Sequence, residues 1–159
     1  MEYQIRKIEK KDNSRIEQII RACLVEFGGD HEGCAWTDPD LGRFSEIYQG
    51  PGCSYWVAVR GNGEVVGGVG IGPLTGVAET CELQKMYCIP EVRGSGVAKL
   101  LLETALTYAA QYYQRCYLET FANMVAAHKL YEKYGFKRID HALGNTAHFT
   151  CDVRYLKEW

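Results

Sequence analysis

The stretch KMYCIPEVRGSGVAKLLLETALTYA, residues 85–109, joins an apolar strand-like segment to an apolar helix through a short glycine-containing loop. The first N–H groups of a helix have no intrahelical partners and lie at the positive end of its dipole, so such a loop binds phosphate well. Gly94 and Gly96 let the backbone approach an anion without an intervening Cβ, and Arg93 can add a charge-assisted contact. Pro90 ends the preceding strand because it has no N–H to donate. The stretch predicts an anion site between strand and helix.

Two well-known phosphate-binding patterns do not fit this loop. The P-loop pattern GxxxxGK[ST] is absent, and Gly94-Ser95-Gly96-Val97-Ala98-Lys99 lacks the third glycine of the dinucleotide pattern GxGxxG. A second glycine cluster, GGVGIG at 67–72, lies inside a strand-like run, where glycines mark a bulge or the close approach of a ligand. The patterns alone therefore leave the phosphate ligand open.

Composition limits the classes of protein to consider. The chain has 159 residues, which suits one domain spanning 1–159. A net charge of −2 and an isoelectric point near 6.1 argue against a nucleic-acid binder. The charged N-terminus is unlike a signal peptide, and the longest uncharged run, residues 65–78, is too short to span a bilayer, so we expect a cytoplasmic protein without a membrane partner. Seven scattered cysteines without a CxxC pair predict reduced thiols and no metal site.

Hydrophobic periodicity predicts a mixed sheet covered by helices, in the order β-α-α-β-β-β-α-β-α-β-β. A turn at Gly61-Asn62-Gly63 indicates a hairpin, Ser14 and Glu17 form a capping-box pattern, and Asp38 before Pro39 favours a second helix start. The predicted strands are 3–8, 55–60, 64–72, 79–89, 115–121, 136–140 and 148–156, and the predicted helices are 14–27, 39–48, 97–113 and 125–134.

The loop and its surroundings together resemble a known family. RGSGVA (93–98) resembles the Q/R-x-x-G-x-G/A loop of the GNAT superfamily of N-acetyltransferases, which cradles the pyrophosphate of acetyl-CoA. ELQKMYCIPE (82–91) before it and LYEKYGF (130–136) after it resemble GNAT segments in order and spacing, so the resemblance covers about 55–139. It implies the GNAT acyl-CoA N-acyltransferase fold, an α/β fold with a mixed sheet, and acetyl-CoA as co-substrate.

The resemblance also implies where the co-substrate binds. In the family, the strand before the loop splays from its neighbour and its backbone hydrogen-bonds the pantetheine arm, as an added strand would. Many members have Asn seven residues before the tyrosine of the LYEKxGF segment, whereas this chain has Met124 there, which could pack on pantetheine. The implied pantetheine residues are Met86, Tyr87, Cys88 and Met124, and the implied pyrophosphate residues are Arg93, Gly94, Ser95, Gly96, Val97, Ala98 and Lys99.

Carried over from the family, Tyr131 is the acid that protonates the departing thiolate, with a core tyrosine as the alternative. The attacking amine is mostly protonated at neutral pH, so a base is needed. Glu82, which shares a strand face with Gln84, is our first choice of base, and Glu119 is the second. The alternative for both Glu82 and Glu119 is a non-catalytic carboxylate that is exposed or ion-paired.

The acceptor site is expected over the splayed strands, walled by the loop GGDHEGCAWTDPD (28–40). Acidic and aromatic residues of that loop could receive an ammonium group, with Glu82 and Glu119 nearby: Asp30, Glu32, Trp36 and Asp38. The predicted acceptor contacts are Gln84, Glu119 and Trp36. A core position for Trp36 and a capping role for Asp38 fit the sequence equally well. These residues favour a primary amine on a small molecule or peptide as the acceptor.

The predicted function is N-acetyl transfer by direct attack of the amine on acetyl-CoA in a ternary complex. Two alternatives stay open: a non-catalytic acyl-CoA-binding regulatory module, and transfer of a different acyl group. The family also suggests a homodimer.

Overall fold

The computed structural model describes residues 2–144 and 152–159, and these form one mixed sheet with helices packed on it. The element order is the predicted one, and the predicted fold class is confirmed. The strands are β1 (Tyr3–Lys7), β2 (Ser54–Arg60), β3 (Val65–Pro73), β4 (Thr80–Cys88), β5 (Arg115–Thr120), β6 (Lys137–Ile139) and β7 (Val153–Glu158); the helices are α1 (Asn13–Glu26), α2 (Phe44–Ile47), α3 (Val97–Ala109) and α4 (Val125–Lys133).

The sheet has the strand order β1-β2-β3-β4-β5-β7-β6. Strands β1 to β4 form antiparallel neighbours in chain order, and the hairpin between β2 and β3 is confirmed: Gly63 has φ +87° and its N–H donates to the Arg60 carbonyl at 2.8 Å. Strand β7 lies between β5 and β6 and pairs antiparallel with both. The contact between β4 and β5 is parallel, which places a crossover through α3 between them.

The centre of the sheet opens between β4 and β5. The two strands pair only through Thr80 with Arg115, Cys81 with Cys116, and Glu82 with Tyr117. Strand β4 continues to Cys88 and β5 to Thr120, so their C-terminal halves diverge. The predicted splay of the strand before the glycine loop is therefore present.

A bulge in β4 accompanies the splay. The register between β3 and β4 shifts between Gly68 and Gly70, and Lys85 has φ +51°. The predicted bulge at the glycine cluster is confirmed. Side chains of this chain also lie close to these glycines: the Tyr55 ring lies beside Gly68, and the Tyr55 and Tyr48 rings lie beside Gly70.

The core is built from one apolar stripe of α1 and one of α3. The buried cysteines Cys23, Cys81, Cys88 and Cys116 pack there as small apolar side chains. The buried stripe residues are Ile16, Ile19, Ile20, Cys23 and Leu24 on α1 and Val97, Leu101, Leu102, Ala105, Leu106 and Ala109 on α3. No helix in the described part of the chain is long and apolar enough to cross a bilayer.

Several helix boundaries differ from the predicted ones. The helix over 39–48 is only Phe44–Ile47, because Gly42 takes φ +87° and Asp38 pairs with Lys85 instead of capping a helix. Helix α1 begins at Asn13, directly after a 3₁₀ turn (Lys10–Asp12) whose own capping box is formed by Glu9 and Asp12. The N-cap of α1 is Asp12 without a side-chain cap, so the predicted capping box of Ser14 and Glu17 is not formed.

The other differences lie near chain turns. Helix α3 ends at Ala109 rather than at 113, because the chain turns there before β5. The last strand was predicted over 148–156, whereas β7 covers Val153–Glu158; the first part of the prediction lies in 145–151, outside the described residues.

Candidate active site

Two connected spaces meet where β4 and β5 diverge. A cavity of about 60 Å³ lies between the strand ends, and a groove of about 550 Å³ runs from it to the glycine loop. Four residues line both spaces and therefore mark their junction: Met86, Tyr87, Met124 and Tyr131. Of the predicted cofactor residues, all but Ser95 line the groove, so the structure brings this set together.

The glycine loop forms the far end of the groove. Gly94 and Gly96 have φ +81° and +92°, and Gly96 stands directly before the first residue of α3. A Cβ added at either glycine would meet nothing within 4 Å, so the loop surface is open on that side. Ser95 does not line the groove: its hydroxyl donates to the Val92 carbonyl and accepts from the Tyr3 hydroxyl at 2.9 Å. Ser95 therefore anchors the loop to β1.

Arg93 is held by protein groups at the edge of the groove. Its guanidinium donates to Glu26 at 2.9 Å and to the Cys88 carbonyl at 3.1 Å, and it lies over the Phe27 ring. The hydrogen bond from Arg93 lowers the pKa of Glu26. Arg93 thus ties the loop to α1 and to the end of β4, and its contact with phosphate stays a prediction.

The splayed half of β4 supplies a backbone edge to the junction. Tyr87 and Cys88 pair with Gly68 and Gly67 of β3 on one side, and beyond Glu82 no described strand pairs with β4 on the other. The bulge at Lys85 is held by the Tyr55 hydroxyl, which donates to the Lys85 carbonyl at 2.8 Å. No local sequence pattern predicts this role of Tyr55, because it depends on the β3 glycines that accommodate its ring.

Tyr131 lies on α4 with only 5% of its surface exposed, packed on Phe136 and Tyr155. Its hydroxyl has no hydrogen-bond partner among the described residues, although the side chain lines both the cavity and the groove. Burial raises the pKa of Tyr131. The phenol is therefore protonated at neutral pH and can serve as a proton donor.

Glu82 lies at the last β4–β5 pair, and its carboxylate is held by a short hydrogen-bonded chain. The Tyr48 hydroxyl donates to Gln84 Oε1 at 2.7 Å, and Gln84 Nε2 donates to Glu82 Oε1 at 2.8 Å. The predicted sharing of one strand face by Glu82 and Gln84 is confirmed. No sequence pattern predicts the link from Tyr48 to Gln84, because it depends on the position of α2.

Glu119 lies across the cavity on β5 and accepts a hydrogen bond from the Tyr117 hydroxyl at 2.7 Å. Trp36 lines neither the cavity nor the groove; it lies under the Arg21 guanidinium, with 4.8 Å from the Arg21 Cζ to the ring centre. A wider cleft of about 380 Å³ continues from Glu82, Gln84 and Lys85 toward α2. Among the described residues, no cluster of three or more side chains is arranged as a metal site.

Comparison with known proteins places this arrangement in a family. The acetyltransferase (GNAT) family profile matches residues 14–136. The chain is 46% identical over 157 residues to the Escherichia coli N-acetyltransferase YjgM, covering 97% of this chain and 93% of that protein. It is 38% identical over 114 residues to the N-acetylaspartate synthetase of Xenopus tropicalis, which covers 69% of this chain but only 40% of that protein.

A solved structure agrees with these sequence matches. The GNAT-family acetyltransferase of Staphylococcus aureus Mu50 superposes with a TM-score of 0.84 at 21% identity, over 99% of both chains. That likeness supports the fold. The sequence relatives are named N-acetyltransferase or N-acetylaspartate synthetase, which agrees with the activity class predicted from the glycine loop and its flanking segments. The chain belongs to the GNAT family of acetyltransferases.

Proposed function

We propose that this chain is a single-domain acetyl-CoA-dependent N-acetyltransferase that acetylates a primary amine of a small molecule or peptide by direct attack in a ternary complex. The observation that carries the proposal is the junction at the splay. It joins a groove ending in an open glycine loop to a cavity containing Glu82, with Tyr131 between them. The thioester of acetyl-CoA supplies the activated acetyl group, and the residues position it.

The groove suits an elongated, phosphate-bearing co-substrate. Gly94, Gly96 and the first turn of α3 would bind the pyrophosphate through backbone N–H groups. The free edge of β4 at Met86–Cys88 would hydrogen-bond the pantetheine arm as an added strand. Holding both ends of the arm fixes the thioester at the junction, so much of the rate enhancement comes from positioning.

Tyr131 would donate its proton to the departing thiolate. The proton donor must be uncharged at working pH and close to the sulfur. Burial of Tyr131 against Phe136 and Tyr155 keeps it protonated, and its position at the junction supports the second requirement. A bulky aromatic acid there also excludes water from the thioester.

Glu82 would accept the proton of the incoming ammonium, directly or through a water molecule. Amines of this kind have a pKa of about 10, so the attacking nitrogen must lose a proton first. Tyr48 and Gln84 hold the Glu82 carboxylate from one side. Gln84 and Glu119 would contact the acceptor; Trp36 stacks on Arg21, and its acceptor role stays a prediction.

Two acceptor chemistries have support. Glu82 and Glu119 flank the cavity and favour a cationic amine. The relatives named N-acetylaspartate synthetase favour the α-amine of an amino acid, although the chain spans well under half of those proteins. The direct experiment is release of CoA thiol from acetyl-CoA over a panel of polyamines, aminoglycosides, peptide N-termini and amino acids that includes aspartate.

We expect acceptor-dependent thiol release with at least one class in the panel. Calorimetry with acetyl-CoA runs in parallel, so that binding is known independently of turnover. Binding without thiol release from any acceptor in the panel would favour the non-catalytic module. Absence of acetyl-CoA binding would overturn the assignment of the groove.

Replacement of Tyr131 by Phe tests the acid. We expect Tyr131→Phe to lower kcat by roughly 10²–10⁴-fold, the usual contribution of a positioned proton donor, while acetyl-CoA affinity stays the same because the ring still fills its place. Tyr134→Phe, directly after the same helix, loses a hydroxyl bonded to Glu103 outside the junction and is the matched control. Unchanged turnover in Tyr131→Phe would remove the residue from the acid role.

A further inference from the structure

The cleft of about 380 Å³ that runs from Glu82 toward α2 contains one cation among acidic side chains. Three carboxylates line it, those of Asp38, Asp40 and Glu82, and Lys85 is the only cationic residue in the same described lining. Lys85 also lines the cavity between β4 and β5, where it is again the only cationic residue among the described ones. Because like charges repel, recognition of a cationic amine alone does not explain a lysine at this place.

The bulge in β4 brings Lys85 to the wall of the cleft. Side chains of a regular strand alternate between its two faces, so Lys85 would point away from the face that Glu82 and Gln84 share. Lys85 instead has φ +51° and lines the cleft together with both of them. Such a backbone conformation is uncommon for a residue that is not glycine, and residues held in it cluster at functional sites. The unfavourable backbone thus lies at the position that supplies the cation.

The Lys85 ammonium is fixed at this wall by an ion pair. Its Nζ lies 2.7 Å from Asp38 Oδ2, and the two side chains are 12% and 20% exposed. The Tyr55 hydroxyl holds the backbone of the bulge by donating to the Lys85 carbonyl at 2.8 Å. An ammonium has three N–H donors, so the pair with Asp38 leaves donors for a second anionic group.

We infer that Lys85 binds a carboxylate of the acceptor, and that the acceptor is a free amino acid whose amine faces Glu82. The inference rests on the proposed function, because it takes the cavity and the cleft as the acceptor site. Glu82 and Lys85 line both spaces, so the ammonium and the carboxylate of one small molecule can each meet an opposite charge there. Polyamines and peptide N-termini have no carboxylate beside the amine. Lys85 is therefore a specificity residue that takes no part in proton transfer.

Matched acceptors test the inference on the unmodified chain. Thiol release from acetyl-CoA is measured with the common amino acids, with their amides, in which the carboxylate is replaced by a neutral group, and with the corresponding amines that lack it. We expect kcat/KM for the best amino acid to exceed that of its amide and of its amine by roughly 10–100-fold, the contribution of a hydrogen bond between charged groups. Equal kcat/KM for the three would overturn the inference and leave the proposed function intact. No thiol release with any acceptor would overturn both.

Two variants separate carboxylate binding from the ion pair. Lys85→Met removes the charge and keeps an unbranched side chain, whereas Asp38→Asn breaks the same ion pair and keeps the lysine. We expect Lys85→Met to lower kcat/KM for the amino acid by roughly 10–100-fold, mainly through a higher KM, and to change that of the amide by less than about threefold. Asp38→Asn should keep the preference for the amino acid over its amide. Thermal unfolding and calorimetry with acetyl-CoA show that both variants are folded and bind the co-substrate.

The comparison of the two variants decides the role of Lys85. An equal loss of the preference in Lys85→Met and Asp38→Asn would mean that Lys85 acts only as the partner of Asp38, and the carboxylate role would be overturned. A folded Lys85→Met that prefers the amino acid over its amide as the wild type does would overturn it as well, because the carboxylate would then bind elsewhere.

Discussion

Gly68 and Gly70 in β3 lack side chains because tyrosine rings occupy the space beside them. A Cβ on Gly68 would lie 2.5 Å from Tyr55 Cε1, and a Cβ on Gly70 would lie 2.8 Å from Tyr55 Cδ2 and 2.9 Å from Tyr48. The same Tyr55 hydroxyl holds the Lys85 carbonyl, where β4 bulges at φ +51°. Gly68 and Gly70 thus leave room for the Tyr55 ring, and the Tyr55 hydroxyl in turn holds the bulge of β4 at the site.

Gly68→Ala should therefore affect both stability and co-substrate binding. We expect a loss of about 1–3 kcal/mol in the free energy of unfolding, because the ring or the strand must shift. Displacement of Tyr55 should also weaken acetyl-CoA binding through the bulge. Chemical denaturation and calorimetry measure the two effects.

Gly61→Ala is the matched control for this change. A Cβ at Gly61 meets nothing within 4 Å, and Gly61 has no positive φ. We expect its unfolding free energy to stay within about 0.5 kcal/mol of the wild type. Equal stability of the Gly68 and Gly61 variants would show that Tyr55 is not confined by Gly68.

Single residues at the site were predictable from the sequence where a local rule applied. The open loop surface at Gly94 and Gly96, and the shared face of Glu82 and Gln84, follow from loop chemistry and strand period. The partners of Arg93 and Lys85 did not follow, because Glu26 lies 67 positions from Arg93 and Asp38 reaches Lys85 only through the folded loop.

At the scale of elements, a buried carboxylate joins β1 to α1. Asp12 is 3% exposed and accepts hydrogen bonds from Arg6 at 2.8 and 3.1 Å and from the Glu9 N–H at 2.8 Å. Burial by itself would raise the pKa of Asp12, but the bonds from Arg6 and Glu9 outweigh it and hold the pKa below its usual value. The connection between β1 and α1 therefore depends on the charged carboxylate of Asp12.

Asp12→Asn should destabilise the protein by about 2 kcal/mol at neutral pH, because Arg6 loses its charged partner in a mostly enclosed position. The folded pKa of Asp12 is depressed, so its contribution is complete above the unfolded value near 4 and is lost as pH falls through the folded value. Urea unfolding at several pH values should show the difference between wild type and variant shrinking in acid.

An exposed ion pair provides the control for Asp12. Arg43 and Glu46 are 56% and 59% exposed and 3.3 Å apart, so Arg43→Gln should change stability by less than about 0.5 kcal/mol. A constant difference between wild type and Asp12→Asn down to strongly acidic pH would contradict the role of the ionised carboxylate.

The order of the elements was predictable, but several of their ends were not. Periodicity identified the eleven helices and strands that the described residues contain. The start of α1 moved because Asp12 binds Arg6 of β1, and α2 shortened because Asp38 binds Lys85 of β4. Both boundaries depend on partners from other elements, which no local pattern contains.

At the scale of the whole molecule, the site is a property of the sheet. The opening exists because β4 and β5 pair over only three residue pairs before they diverge, while β5 continues in register with β7 through Thr120 and Val153. Registers between distant strands cannot be derived from one sequence by periodicity. The splay and the cavity between the strands were therefore expected only through the family resemblance, and their dimensions required the structure.

The molecule also carries an unusual number of tyrosines for its size, 11 in 159 residues, several of them in the core. Burial raises the pKa of Tyr48, Tyr55 and Tyr131, and it raises the pKa of Tyr113 to about 12. In the unfolded chain the same phenols lose their protons near pH 10. Above that pH the unfolded state therefore binds fewer protons than the folded state.

Buried thiols contribute from lower pH, because burial raises the pKa of Cys88 to about 12 whereas unfolded thiols ionise at about pH 8.5. Stability should consequently begin to fall above about pH 8.5 and fall more steeply above about 10, continuing until the folded values are reached. Thermal midpoints between about pH 8 and pH 11.5 measure this decline. Tyr55→Phe, which removes one fully buried phenol, should show a shallower decline than the wild type, whereas Tyr112→Phe, at a position 47% exposed, should follow the wild type. Identical slopes in all three proteins would mean that the alkaline loss of stability does not come from the buried tyrosines that line and support the junction.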